Sequence, residues 1–318
     1  MAGKTKSGEK PSLVLLGPQR RLPLVAETVS QLGLKSACAI TAGWQERADE
    51  VRELESHLRI SILRLDLYRR TENVFEEDSQ FFEAYRNRQN KLRAQQKVYR
   101  LRLDFLMQQC LAVWKLPAGS PGSEAERSHA LEMVRQLDRH HLSTVNSIQL
   151  EFEHQNRPLA RPAIRRHRQE LRRLLASSQG VLVAGGHVAV LLNRLRLFGL
   201  KSLISSHPVV AWAGGAMVLG ESLVLFHDNP PQGPGFPEVL EAGLGLYSRV
   251  QAFPDPTRRL RLQDPDRLDI LSRRLHPKRC LLLDPGSRAK RIAADWEIEC
   301  PSLDPKGRIL DAPWASTN

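Results

Sequence analysis

The segment Val209-Val-Ala-Trp-Ala-Gly-Gly-Ala-Met-Val-Leu-Gly220 has the pattern from which bond-breaking chemistry could start. A short apolar strand runs straight into a helix through small residues. That is the geometry of a nucleophile elbow, which lifts one side chain above a sheet. The bend needs small residues two before and two after the nucleophile, because its backbone is too tight for larger ones. Ala211 and Gly215 meet that need. The residue between them is Ala213, and a methyl group cannot attack a carbonyl. Position 213 is therefore a degenerate nucleophile site, and no intact catalytic set is expected.

Other candidates lie along the chain. His187 follows the apolar run Val181 to Ala184 and the pair Gly185-Gly186. It stands at a strand's carboxyl end, where open α/β sheets bind their ligands. It can hold a ligand or an acid group, or it can cap the helix that starts at Val188. His227-Asp228 follows a strand-like run and can line the same cleft, or form a loop before Pro230-Pro231. Ser205-Ser206-His207 precedes its strand, which sets it roughly 15 Å from Ala213, at the wrong end of the sheet. His129, His140, His141 and His154 lack the spacing of paired metal ligands and fit a solvated helix face. Cys38, Cys110, Cys280 and Cys300 form no CxxC pair and are expected to be buried free thiols. Nothing here calls for a cofactor or a metal.

The formal charge is +12 over 318 residues, and the excess is clustered. Arg86 to Arg102 holds seven basic residues and no acidic one, among them Arg86, Arg88 and Lys91. Arg161 to Arg173 holds six arginines and one glutamate, among them Arg165, Arg166 and Arg168. Such stretches can supply phosphate contacts without reading sequence, or simply form a solvated face.

Three parts must position these residues. Leu13–Leu16, Ser36–Thr41 and Ile60–Leu65 read as strands, and Leu22–Leu32 and Gln45–Leu58 as helices, a parallel α/β pattern. Gly33 is placed to close the first helix. From about Glu76 to Ser178 no strand is expected. Phe82, Tyr85, Gln89, Leu92, Gln96, Tyr99, Leu103, Leu106, Cys110 and Val113 make a heptad-like seam. A second amphipathic stretch covers 124–153, so the two predict an antiparallel helical hairpin. A third helix spans about 163–177. From Gly180 the α/β pattern resumes, with strands at Val181, Val209 and Ser222, and further strands at Leu244–Val250 and Cys280–Asp284. The expected organisation is a disordered basic tail over 1–11, an α/β sandwich from 12–70 and 180–300, a helical insertion over 76–178, and a loop-rich tail over 301–318. No apolar run reaches the ~18 residues of a membrane helix. The N-terminus lacks the form of a signal peptide. A cytoplasmic location with no membrane contact is the expectation.

The elbow segment resembles the Gly-x-Ser-Ala-Gly-Ala motif of the serine peptidase family that includes cyanophycinase and dipeptidase E. Ala184-Gly185-Gly186-His187 is similar to that family's Gly-Gly-Asn strand end. Gly243-Leu244-Gly245-Leu246 resembles its Gly-Leu-Gly strand, Arg258 to Leu262 its Arg-x-x-Arg-Leu stretch, and Thr41-Ala42 its strand end. The resemblance implies a class I glutamine amidotransferase-like fold: α/β, a parallel-sheet three-layer sandwich, here with a long α-helical hairpin insertion. It implies that amides at Gly185 and Gly186 help form an oxyanion hole. It also places a catalytic histidine a few residues before Arg258, where Val250 to Asp255 holds none. Serine and histidine are thus both absent.

Three functions follow. The first is a binding or scaffold protein on a retired hydrolase fold, holding a peptide-like or acidic ligand through Gly185, Gly186 and Gly214, with the helical arm used for self-association or partner contact. The second is an active hydrolase with a substitute mechanism. The third is a nucleic-acid-associated module using the basic arm.

Overall fold

Alternate residues of one strand face opposite sides of a sheet, and here both sides are covered. Leu13 and Leu15 join one apolar core, whereas Val14 and Leu16 join another. Val181 and Val183 divide from Leu182 in the same way. Two cores on two faces make a three-layer α/β sandwich. The computed structural model describes residues 12–117, 120–228, 235–311 and 314–315. The basic tail expected over 1–11 and the Pro230-Pro231 loop lie outside the described residues.

The chain begins with β1 (Leu13–Leu16), α1 (Val25–Leu32), β2 (Ser36–Ile40), α2 (Arg52–Leu58) and β3 (Ser61–Arg64). Helix α1 ends at Gly33 with φ 68°, the left-handed cap its sequence calls for. The helix predicted over Gln45–Leu58 is broken. A 3-10 turn covers Ala42–Arg47, with Gln45 at φ 58°, and only α2 follows as α-helix.

The helical part is α3 (Leu67–Glu77), α4 (Ser79–Trp114), α5 (Ser123–Asn156) and α6 (Pro162–Ala176). Asp78 starts α4 by accepting the N–H of Phe81 at 2.9 Å. Helices α4 and α5 form the long hairpin, and its seam closes within the chain. The register differs from the predicted one at its start: Phe81 is fully buried, while Phe82 is 38% exposed. Phe81 packs against Phe152 of α5, ring centroids 5.7 Å apart.

The α/β part resumes with β4 (Val181–Val183), α7 (Val188–Leu197), α8 (Lys201–Ile204), β5 (Val209–Trp212), α9 (Gly214–Val218), β6 (Ser222–Leu225), β7 (Glu238–Ala242) and β8 (Val250–Pro254). It ends with α10 (Pro256–Arg259), α11 (Pro265–Leu275), β9 (Arg279–Leu283), β10 (Arg288–Ile292), β11 (Asp295–Glu299), β12 (Ser302–Leu303), β13 (Ile309–Leu310) and β14 (Trp314–Ala315). The main sheet has the order β14-β11-β10-β1-β5-β4-β2-β3. Its five strands from β1 to β3 in that order run parallel, and β10, β11 and β14 add an antiparallel edge. β8 and β9 pair in parallel in a second sheet with β12 and β13, and β6 pairs with β7.

Over the expected strand Leu244–Val250, only Val250 is in a strand, as the start of β8. Amides before it bond to the end of α9 instead, Leu244 N–H to Val218 O at 2.8 Å and Leu246 N–H to Leu219 O at 2.8 Å. The tail holds paired strands at 302–303 and 309–310 rather than loops alone.

Candidate functional site

At the carboxyl end of β5 the chain turns into α9 through one residue. Ala213 takes φ 48° and ψ −124°. Glycine adopts that pair freely, but an L side chain does so under strain. Main-chain bonds fix the bend: Ala213 N–H donates to Leu16 O at 3.1 Å, and Ala213 O accepts from Ala216 N–H at 3.0 Å. The neighbours from Val209 to Gly220 are buried, while Ala213 is partly open. Ala213 itself packs partly against the apolar core of one sheet face.

The loop after β4 is pressed against this bend. A β-carbon on Gly185 would lie 3.0 Å from the Ala213 methyl carbon and 3.0 Å from Gly214 N. One on Gly214 would lie 3.0 Å from Gly186 O. The end of β2 joins them: His187 N–H donates to Gly43 O at 2.7 Å. Gly43 and its contact with Gly186 were not among the residues singled out from the sequence. Its signal was a glycine right after the Thr41-Ala42 strand end. Gln45, with φ 58° and ψ −123°, repeats the backbone conformation of Ala213 in the loop after β2. Strain of about 1–3 kcal/mol per residue persists only where the surroundings impose it. Replacing Ala213 by glycine is expected to stabilise the fold by about 1 kcal/mol. Urea unfolding at unchanged slope reads this, and a lowered midpoint would show that the bend is relaxed with alanine.

His187 is exposed, and its Nδ1 accepts the N–H of Val190 at 3.3 Å, so it caps α7. Val250 to Pro254 form β8, with no imidazole among them. Asp255 follows at φ 58° and pairs with Arg258 at 3.7 Å. Ser205 to His207 precede β5, at the sheet's amino end. His207 Nε2 lies 3.1 Å from Leu175 O. His227 is exposed. Asp228 does not serve the elbow cleft. It is 3% exposed, and its carboxylate accepts from Arg267 Nη2 at 2.9 Å and Arg261 N–H at 3.0 Å. It lines a separate cavity of about 20 Å³ with Met107 and Phe236, where no elbow residue takes part.

The basic surface needs correction at two positions. Arg88 is buried between the rings of Tyr85 and Phe152, its guanidinium carbon 4.2 and 4.4 Å from their centroids. Arg168 is buried and donates to Phe198 O. Both sequences looked like solvated runs, but long arginine stems also fill helix packing. Arg86, Lys91, Arg165 and Arg166 are exposed. Of these, Lys91 pairs with Glu151 at 3.7 Å and Arg166 with Glu77 at 2.5 Å.

All four cysteines are buried and free. Burial pushes the Cys110 thiol up to about 11, and those of Cys280 and Cys300 to about 12. Thiols so protonated are poor nucleophiles. His141 is buried too, stacked on Tyr99 at 4.1 Å, and burial holds its imidazole below its usual range. Among the described residues no three His, Cys, Asp or Glu side chains meet in a metal-binding group. No helix among them is long and apolar enough to cross a membrane.

No protein family and no curated protein matches the chain. Among solved structures it is similar to the crystal structure of a peptidase from an acI-B1 Actinobacterium. That match has 13% sequence identity, covers 98% of each chain and has a TM-score of 0.48.

Proposed function

We propose that this chain is a non-catalytic relative of serine peptidases of the cyanophycinase and dipeptidase E type, on a class I glutamine amidotransferase-like fold, and that it works as a binding or scaffold protein. One observation carries this: the strained strand-to-helix bend is present in full at Ala213, with a methyl group at its crest. The bend has a structural cost, yet no attacking atom uses it. No histidine stands on β8, where a proton acceptor would be needed.

The chemistry left at the site is binding. The amides at Gly185, Gly186 and Gly214 lie together at the carboxyl ends of β4 and β5. A carboxylate or a peptide carbonyl is the group such clustered amides would receive. The outer face of α4 offers a second surface for self-association or a partner. Val98, Leu101 and Phe105, one helical stripe, are 53%, 62% and 67% exposed.

The test is hydrolysis of dipeptide and β-aspartyl substrates by the purified chain. No turnover is expected from the unmodified protein, nor from Ala213→Ser, because the hydroxyl would still lack a base. Losing triad members leaves at most a residual ~10³–10⁴-fold over water. Robust turnover by the unmodified chain would defeat this proposal in favour of an active hydrolase with a substitute mechanism.

A further inference from the structure

A second site lies far from the elbow in the fold. Helix α7 starts at the carboxyl end of β4 and runs back toward the amino ends of the strands. An open pocket of about 530 Å³ lies at its far end, between the end of α5, the turn into α6 and the loop after β7. That volume falls in the range of small-molecule sites. We propose that this pocket binds a small organic anion with a flat apolar body.

The apolar half is built by Phe152, Leu159, Leu197 and Leu244. The charged half contains Arg88, Arg157, Arg196 and Lys201, against the single carboxylate of Glu153. These cations are not equivalent. Arg196 is engaged by Glu241 and Ala242 O. Arg157 closes α5, with its N–H on Glu153 O at 2.9 Å. The carboxyl ends of α5 and α7 disfavour an anion on their own. Arg157 and Arg196 stand at those ends and offset them, which leaves Arg88 and Lys201 without an ion-pair partner among the described residues.

Arg88 is the decisive group. It is 8% exposed, and a buried charge is normally paired. No carboxylate among the described residues lies within ion-pair distance of it. Its Nη2 donates to Asn193 Oδ1 at 3.2 Å, and its Nε is buried without any hydrogen-bond partner. The rings of Tyr85 and Phe152 hold the guanidinium plane in place. A rigid, desolvated guanidinium whose only nearby carboxylate charge among the described residues, Glu241, is already bonded to Arg196 is preorganised for an anion and costs stability while the site is empty. Phe152 forms both a wall of the pocket and one face of this clamp, so an aromatic body beside the anionic group would meet it. Lys201 Nζ sits over Gly245, 3.1 Å from where a β-carbon there would stand, which gives a second cation at the same pocket.

Isothermal titration of the full chain tests this with phenyl phosphate, benzoate, inorganic phosphate and benzyl alcohol. Saturable one-site binding of phenyl phosphate or benzoate is expected, and the tighter of the two tells whether a dianion or a monoanion is preferred. Inorganic phosphate and benzyl alcohol should each bind at least tenfold more weakly, since each lacks one half of the match. Arg88→Met should weaken binding by 30-fold or more while the thermal midpoint stays level or rises. Should that variant fail to fold, Lys201→Glu at the exposed rim carries the test, with a loss of about tenfold. No saturable binding of either aromatic anion, or binding unchanged in Lys201→Glu, would overturn the site. The result does not depend on what the elbow does.

Discussion

Replacing Asp138 by alanine is expected to destabilise the protein by about 3–5 kcal/mol, because it strands a buried arginine. Asp138, in the middle of α5, takes two bonds from Arg274 of α11, Nε at 2.7 Å and Nη2 at 2.7 Å. The Arg274 side chain is 2% exposed. Its remaining donors reach Tyr99 Oη at 3.0 Å and Pro237 O at 2.7 Å. Tyr99 donates to Asp138 at 2.8 Å and accepts from Val239 N–H at 3.1 Å. Four elements meet here: both arms of the hairpin, the loop entering β7, and α11. Burial pulls the Arg274 guanidinium down, but the Asp138 carboxylate and Tyr99 outweigh it and hold the group above its ordinary value. Once the carboxylate is gone, only the Tyr99 and Pro237 oxygens remain to offset that burial. Pairing Asp138→Leu with Arg274→Met should recover most of the loss, since a buried ion pair is worth little more than an apolar pair of similar volume. Urea unfolding of the single and double variants measures both effects. Losses that simply add would show that the two side chains do not act as a pair.

The second large effect is expected at the elbow. Gly215→Ala should destabilise the fold by about 3 kcal/mol. Its β-carbon would fall 2.3 Å from Val183 O and 2.9 Å from Ala184 O, both main-chain atoms of β4 and its end. Backbone in the middle of a parallel sheet cannot rotate away as a side chain could. Two residues earlier, Ala213→Gly moves stability the other way. The opposite signs identify a bend whose backbone is imposed by packing. An unfolding midpoint for Gly215→Ala within error of the parent's would mean that α9 stands off from β4.

The elbow was legible because its demands are local. A buried strand followed by Ala-Gly-Gly-Ala admits few backbones, and small residues at 211 and 215 are the signature of close approach. The hairpin was legible from its period. Its register was not, because α4 has 36 residues and serves several partners in turn. It meets α3 and α7 near Tyr85 and Arg88, β7 near Gln96 and Tyr99, and α11 near Trp114, which donates to Asp269 at 3.0 Å. A straight helix also drifts against a seven-residue repeat. So Phe81, Arg88 and Met107 are buried where a strict seam gave Phe82, Gln89 and Leu106. The edge strands β10 and β11, Arg-Ala-Lys-Arg-Ile and Asp-Trp-Glu-Ile-Glu, were missed because their outer faces are charged. Leu244–Val250 looked like a strand because its start is apolar, but Leu244 and Leu246 bond to the end of α9 instead.

The amino-acid sequence alone determined the α/β layering, the helical hairpin and the methyl group where a nucleophile would stand. Those features rest on side-chain type and short-range period, which a single chain displays openly. Only the tertiary structure decided which arginines are surface and which are core, where Asp228 spends its charge, and that Arg88 faces a pocket without a direct ion pair. Those depend on partners distant in sequence, such as Asn193 for Arg88, and charge patterning along a helix does not reveal which face its neighbours will cover.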